Sequence, residues 1–485
     1  MRRLLALGLL AAGPAAAQDW GGGDDWLGGG DEFAGVAEPD AADLKADTSR
    51  WSLTGFARTE QALWTRRLAD RPWAKGRQSL DLSLDYGGEA LRLRLAGHGE
   101  WDASWLVDRD AADEAQLEVY ELRYLDGEQY VATSAGEFEA TFGRQIVAWG
   151  EGDALSPLDV VNPRDGREPG LADLDDLRLA VLATRVGWFR GAHRIEVMAV
   201  HESYFGEQPS PLSDYSPFRA ILQRDDIPAA IQTVLRDHTY RFVHDPERFD
   251  AKAQQWLGRW VYKGPGLDFG LHAASVLDRQ GVVTLPDVAT LLRPGADVDI
   301  ELRHERYTVV GLSGATSEGS WLFKWEAVGE LGKSFNTGDP DAPFNPASPP
   351  TLGVEEGSLL TGMLGVTYTG VADLNVALEV QKGVFLDEPA DLLFPADAPI
   401  FAARAQYQLL DQRLTLTGGA TALGLTAQYG GLVRAEGTYE LADGWKAGGG
   451  YIWYYTGDED AFGPFSSFTE HDRLFFKLRY DFRLL

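Results

Sequence analysis

The sequence predicts an all-β protein, an antiparallel transmembrane β-barrel of about 16 strands with 14 to 18 as the bounds, carrying a luminal loop and a partly helical insertion. Three observations predict it. The chain opens with an export signal. No later segment approaches the ~18 uninterrupted apolar residues of a spanning helix. Apolar side chains instead recur at every second position along most of the remaining sequence, as strands with two unlike faces require.

The export signal comes first. Arg2 and Arg3 form a basic start, Leu4 to Leu10 an apolar core, and Ala15-Ala16-Ala17 a small-residue cleavage pattern before Gln18. Residues 1–17 therefore read as a signal peptide, too short in its apolar part to anchor the chain. Residues 18–50, with Asp24-Asp25-Trp26 and Gly28-Gly29-Gly30, hold too little apolar content for a core and read as an acidic, Gly-rich periplasmic leader.

Composition narrows the function classes. A mean hydropathy of -0.23 excludes a polytopic helical membrane protein but suits a barrel, whose strands need apolar residues only on the lipid face. Zero cysteines exclude disulfides, thiolate chemistry and Cys-ligated metals. The formal charge of -30, from 44 basic and 74 acidic side chains, repels nucleic acid and argues weakly against a polyanionic cargo.

Residues 51–485 supply the barrel. In 78–86, Leu80, Leu82, Leu84 and Tyr86 alternate with Asp81, Ser83 and Asp85. Gly87-Gly88 turns the chain, and Leu91, Leu93 and Leu95 then alternate with Arg92 and Arg94. Asp81 or Asp85 can pair with Arg92 or Arg94 on the lumen face. The same period returns at 374–381, at 401–409 with Arg404 inward, and at 433–440 with Arg434 and Glu436 inward. Further strands are expected at 51–60, 115–124, 129–142, 178–189, 193–202, 266–277, 298–310, 319–330, 360–369, 413–427 and 470–484. Trp321, Trp325, Trp445 and Trp453 are expected near strand ends, in aromatic girdles. The last strand places Leu474, Phe476, Leu478, Tyr480, Phe482 and Leu484 on one face, suited to closing the barrel against the first strand.

One interval breaks the period. Between 206 and 258, Phe218 to Leu222 and Ile231 to Leu235 read as amphipathic helix, and Pro246 to Leu257 as a second helix. This insertion is expected to cap the barrel mouth or plug the lumen. The stretches 333–358 and 383–398 read as extracellular loops.

A separate segment carries the motif. It contains Gly143-Arg144-Gln145, Trp149-Gly150, and then Asp159, Asn162-Pro163 and Asp165. Gly143 and Gly150 permit unusual torsions, Arg144 offers a rigid fork of donors, with Asp159 and Asp165 as candidate partners, and Asn162-Pro163 signals a turn. Residues 143–177 are therefore expected to fold into the lumen as a clamped loop, a constriction, or both. In this Gly-Arg-Gln, Trp-Gly and Asn-Pro-x-Asp pattern the sequence resembles a family of Gram-negative outer-membrane proteins of no known function, with alginate-export porins as distant relatives. The resemblance implies a cell outer-membrane location among lipids and lipopolysaccharide. It further implies handling of hydrophobic compounds or lipids in association with an envelope transport system.

Chemistry for catalysis is not evident. The eight histidines show no metal-ligand spacing, Asp173-Leu-Asp175-Asp176 lacks the spacing of a calcium loop, and Ser156 is no nucleophile elbow. No enzyme activity, cofactor or metal is expected. The leading expectation is a channel or transporter for small amphiphilic or hydrophobic molecules, monomeric by default. The alternatives are a partner-docking component with an occluded lumen, which would engage a periplasmic transport component, and a polar-solute diffusion porin.

Overall fold

Eighteen strands form one closed antiparallel wall in the computed structural model, which describes residues 51–484 except 70, 110–111, 171–176, 217–218, 220–226, 285–287, 339–351, 459–463 and 466. The first seven wall strands are β1 (Trp51–Trp64), β2 (Trp73–Gly87), β3 (Leu91–Asp102), β4 (Leu122–Ala135), β5 (Phe138–Gln145), β6 (Val181–Arg190) and β7 (His193–Val200). A short strand outside the wall, β8 (Thr239–Asp245), precedes wall strands β9 (Gln255–Gly264) and β10 (Leu267–Leu277). Two more, β11 (Val282–Thr284) and β12 (Asp297–Arg303), precede β13 (Arg306–Glu318), β14 (Trp321–Thr337), β15 (Gly353–Val371) and β16 (Leu374–Asp387). The wall ends with β17 (Ile400–Leu409), β18 (Leu414–Leu423), β19 (Gly431–Ala442), β20 (Trp445–Tyr455) and β21 (Arg473–Arg483).

Each wall strand pairs with the next, and β21 closes on β1 from Thr54↔Arg483 to Trp64↔Arg473. Closure leaves no ladder edge to face hydrocarbon, where an unpaired backbone group has no water to bond. The period-two pattern sets the faces. Leu80, Leu82, Leu91, Leu95, Phe476 and Leu478 are exposed on the outside, while Ser83, His98, Glu100 and Asp102 are buried within. A barrel with this apolar exterior belongs in the outer membrane.

The two rims differ. At one, connections of two to four residues join the strands, as at Gly136, Gly191, Gly266, Gly319 and Gly444, all with positive φ. Such tight hairpins need that left-handed backbone, which glycine adopts without strain. Both ends of the wall sequence lie at this rim, which faces the periplasm. Aromatic pairs mark it: Trp51 and Tyr86 lie 4.9 Å apart, Trp321 and Tyr368 4.4 Å, and Trp445 and Tyr480 4.7 Å. Trp453 lies near the other rim, whereas Trp325 is not at an end; it is the fifth residue of β14 and packs on Phe269 at 6.1 Å. Its alternation matched the girdle pattern, but depth in the membrane depends on register, which one strand alone does not reveal.

Several expected elements change. The segment 115–124 is not one strand: Asp113 and Gln116 form a capping box that starts the helix Glu114–Tyr120, and β4 follows. Pro246 to Leu257 is not helical beyond the single 3₁₀ turn Ala251–Ala253, and β9 begins at Gln255. The insertion between β7 and β9 is therefore residues 201–254, with the helix Ala229–Arg236 inside it, while Phe218 and 220–222 lie outside the described residues. The segment 298–310 divides into β12 and β13. Val298, Ile300 and Leu302 of β12 alternate as a wall strand would, yet they are buried with Tyr240, Val283 and Leu235 in a small core above the barrel. There β11, β12 and β8 form a three-stranded sheet, with β8 and β12 parallel. The proposed signal peptide 1–17, the leader 18–50 and the run Asp173-Leu-Asp175-Asp176 also lie outside the described residues.

Candidate functional site: a loop crossing the lumen

The connection from β5 to β6 is the longest departure from the wall that stays inside it. β5 ends at Gln145 and β6 starts at Val181, so Gly143, Arg144 and Gln145 belong to the wall and the loop is 146–180. Asn162 closes its two feet. Its Nδ2 donates to Gln145 O at 3.0 Å and Leu179 O at 2.9 Å, and its Oδ1 accepts from Val147 N at 2.6 Å. All this occurs with Asn162 at 0% exposure, so one buried amide satisfies three backbone groups that no water can reach. Pro163 O accepts from Leu179 N at 2.8 Å beside it.

The loop tip is fastened to the far wall. The Glu326 carboxylate of β14 accepts from Glu151 N at 2.6 Å, Gly152 N at 2.9 Å, Ser156 Oγ at 3.0 Å and Leu158 N at 3.0 Å. The Glu379 carboxylate of β16 accepts from Asp153 N, Ala154 N and Leu155 N at 2.8, 2.9 and 2.7 Å. Lys324 Nζ adds an ion pair to Asp153 at 2.5 Å. Gly150 makes the approach possible: its φ is +96°, and a Cβ there would stand 2.4 Å from Glu326 Oε1. Gly143 plays the corresponding part at the wall, where a Cβ would stand 2.2 Å from Gln129 O.

The returning arm of the loop crosses to the barrel seam. Glu168 meets Lys75 at 2.5 Å, Arg77 at 3.1 Å and Arg473 at 3.7 Å. Burial favours the neutral acid, yet these three cations hold the Glu168 carboxyl well below the usual carboxylate range. Arg473, with 0% exposure, lies between the rings of Trp64 at 4.6 Å and Tyr215 at 4.8 Å. Tyr215 comes from the second loop, 201–216, which therefore lies across the first. The two loops join where Gly166 N donates to Glu207 O at 2.9 Å and Glu207 N to Arg164 O at 3.2 Å.

The motif residues fall mostly into these contacts, with partners other than those expected. Arg144 does not engage Asp159 or Asp165. It donates to both oxygens of Glu202 at 2.7 Å and to Ala180 O at 2.6 Å, tying the loop foot to the start of the second loop. Asp159 instead meets Arg164 at 3.0 Å and Arg178 at 3.1 Å, and Asp165 meets Arg167. Burial would raise the Asp159 carboxyl, but Arg178, Arg164 and Arg279 hold it at about 2. Gln145 Nε2 donates to Ala183 O at 3.0 Å. Trp149 is buried against His272, with centroids 5.4 Å apart.

The charges expected to face the lumen pair with one another and with neighbouring side chains. Arg94 lies 3.7 Å from Asp85 and 3.3 Å from Glu128, Arg92 pairs with Glu139 at 2.7 Å, and Asp81 faces His98 at 3.5 Å. Arg434 meets Glu436 at 2.5 Å, and Arg404 lines the same cavity. Sequence reasoning missed Glu326, Glu379, Glu168 and Arg473 as loop anchors. Their inward parity was readable, but which loop each would meet was not. Among the described residues, no group of three or more His, Asp or Glu side chains is placed to hold a metal.

The loop divides the lumen beside β14–β19. On the outer side is a cavity of about 210 Å³ toward the extracellular rim, lined by Arg279, Lys333, Asn336, Gln381 and Phe394 among others. On the other side is a small cavity of about 40 Å³, bounded by Ala154, Ala377, Glu379, Arg404, Thr417 and Arg434 among others. Leu155 of the loop tip packs with Met363 of β15 and Ala402 of β17, with Ile400 against them, and this apolar septum touches both cavities, Ala402 lining one and Ile400 the other.

Similarities to solved structures are distant. The chain is similar to OccAB3 of Acinetobacter baumannii at 9% identity, covering 90% of this chain and 99% of that one with a TM-score of 0.49. It is similar to OpdK of Pseudomonas aeruginosa with vanillate at 10%, covering 90% and 99% with a TM-score of 0.46. It is also similar to a BenF-like porin of Pseudomonas fluorescens Pf-5 at 11%, covering 90% and 98% with a TM-score of 0.46. No curated protein matches the sequence. A family model described as a protein of unknown function, DUF1302, matches residues 108–482, and the chain belongs to that family.

Proposed function

We propose that this barrel is an outer-membrane channel moving small amphiphilic or hydrophobic molecules past the tip of its luminal loop. One observation carries the reading: the apolar cluster of Leu155, Met363, Ala402 and Ile400 borders two cavities on the same sector of the wall, Ala402 lining one and Ile400 the other. Apolar contacts across a narrow point disfavour hydrated ions, whereas a solute with an apolar body replaces the contacts it displaces. The inner cavity, mostly alanine, glycine and threonine with a few charges, has the mixed lining of a small-molecule site. The Gly143 to Asp165 residues act as the clamp that fixes the septum, and Arg404, Arg434 and Glu436 contact the cargo below it. The barrel works among outer-membrane lipids and lipopolysaccharide.

A second reading, a docking component with an occluded lumen, is favoured by the double crossing of loops 146–180 and 201–216. Uptake into proteoliposomes separates the two. Octanol-sized and aromatic probes entering faster than glucose of similar mass would support the channel, and no entry of any probe would support occlusion.

A further inference from the structure

On the lipid side of the wall, at its extracellular end, one arginine is held in place by neutral groups alone. Trp256 of β9, Ser275 of β10 and Thr308 of β13 form a row across three strands, Trp256 opposite Ser275 and Ser275 opposite Thr308. Trp256 is exposed, Ser275 shares the parity of exposed Leu271, and Thr308 shares that of exposed Val310 and Leu312. Arg306, the first residue of β13, stands on the same outward face and is exposed. Its side chain lies back over the top of the row. Nη1 donates to Ser275 O at 3.2 Å and Ser275 Oγ at 3.3 Å, and Nη2 donates to Gln254 O at 2.8 Å.

These acceptors fix the plane of the guanidinium, but none of them is an anion. Nε and the second Nη2 hydrogen have no acceptor among the described residues. They form the edge whose two parallel N–H groups fit two oxygens of one phosphate. Lys252, in the 3₁₀ turn that leads into Gln254, is also exposed and has no carboxylate within ion-pair distance among the described residues. The acids nearest in sequence serve other groups: Glu305 lies 3.9 Å from Arg303, and Asp250 Oδ1 accepts from Lys252 N at 2.9 Å. Below the row the face is apolar, with Ala273, Val310, Leu271 and Leu312. β13 runs from Arg306 to Glu318. Ordinary strand rise and tilt make that about 30 Å of height, against an apolar band about 25 Å tall. Arg306 therefore stands at the level of the outer headgroups.

We infer that Arg306 and Lys252 bind a phosphate of an outer-leaflet glycolipid whose acyl chains run down the wall past Trp256, Ala273 and Val310. The guanidinium takes two oxygens through its open edge, and Lys252 supplies a point charge to the same headgroup. The Trp256 ring sits where headgroup gives way to hydrocarbon. Free phosphate would gain the charge contacts alone, whereas a lipid also covers the apolar face directly below them. The formal charge of -30 opposes anions in general, so retention of an anionic lipid reports these local cations. The site is on the outside of the wall and stands whether or not the lumen conducts.

The test uses the full chain folded in dodecyl maltoside and native mass spectrometry with diphosphoryl lipid A, its dephosphorylated form and phosphatidylcholine. Saturable binding of one lipid A per barrel, tighter than either other lipid, is expected. Arg306→Gln should weaken it at least about tenfold and Lys252→Gln about threefold, with the dephosphorylated lipid unaffected. Heat-modifiable gel mobility confirms that each variant is folded. Lys252→Gln, on an exposed turn, carries the test should Arg306→Gln fail to fold. Wild-type affinity in the folded variants would overturn the inference, as would equally tight binding of the dephosphorylated lipid. Displacement of lipid A by millimolar inorganic phosphate would also overturn it, because the site would then take a free anion and not a lipid.

Discussion

Glu326→Gln should release the tip of the luminal loop. The carboxylate accepts four hydrogen bonds, three at one oxygen and one, from Leu158 N, at the other. Glutamine keeps one acceptor oxygen and turns an NH₂ group toward a donor, so the fourth bond is lost and the other three lose charge assistance. Hydrogen bonds to charged acceptors contribute about 1.5–3 kcal/mol each and neutral ones about 1, so the change costs the pinned state about 3 kcal/mol after relaxation. That raises the ratio of detached to pinned loop roughly a hundredfold. Hydrogen–deuterium exchange read at the amides of Glu151, Gly152 and Leu158 should accelerate by that order, while wall amides of β14 stay protected. Unchanged exchange at those three amides in a folded variant would refute the anchoring role.

Other perturbations test neighbouring parts. Gly150→Ala should resemble Glu326→Gln in loop exchange, because its Cβ cannot share space with Glu326 Oε1; wild-type exchange would show that the tip has another seat. Asn162→Ala leaves Val147 N, Gln145 O and Leu179 O without their partner and should destabilise the fold by about 2–4 kcal/mol in urea titrations of the micellar protein, against less than about 0.5 if water replaces the amide. His304, buried beside His244 and Phe205, has its imidazole pushed down to about 3. Its unfolded value is about 6.5, so the unfolded state takes up the proton first, and stability is lost as pH falls below about 6.5, by about 2 kcal/mol at pH 5. Exchange of β8 and β12 should rise over that window while the loop foot at Asp159, charged down to about 2, stays closed. Equal protection of β8 at pH 8 and pH 5 would exclude this.

How far the sequence reached depended on the range of the interaction. The wall was legible because each strand carries its own two-face pattern, as in β2 and β21. The count of eighteen lies within the expected 14 to 18, but β9 was not legible, because Gln255 to Gly264 directly follows a loop and its start falls inside the expected insertion 206–258. β12 failed for the opposite reason: Val298, Ile300 and Leu302 obey the wall period but bury against protein, and period two does not distinguish lipid from a core. The loop's own signals, Gly143, Gly150 and Asn162-Pro163, were local and readable. Its anchors Glu326 and Glu379 lie 168 to 226 residues away from the amides they hold, and only the closed ring brings them together.

The proposed channel depends most directly on the septum beside the loop tip. The chain has no cysteine, so Ala154→Cys introduces a single thiol on that tip. Modification by a small charged methanethiosulfonate, followed in planar bilayers, should abolish passage of the current or probe that the unmodified protein carries. Full labelling at 154 with passage unchanged would contradict a pathway running past the loop.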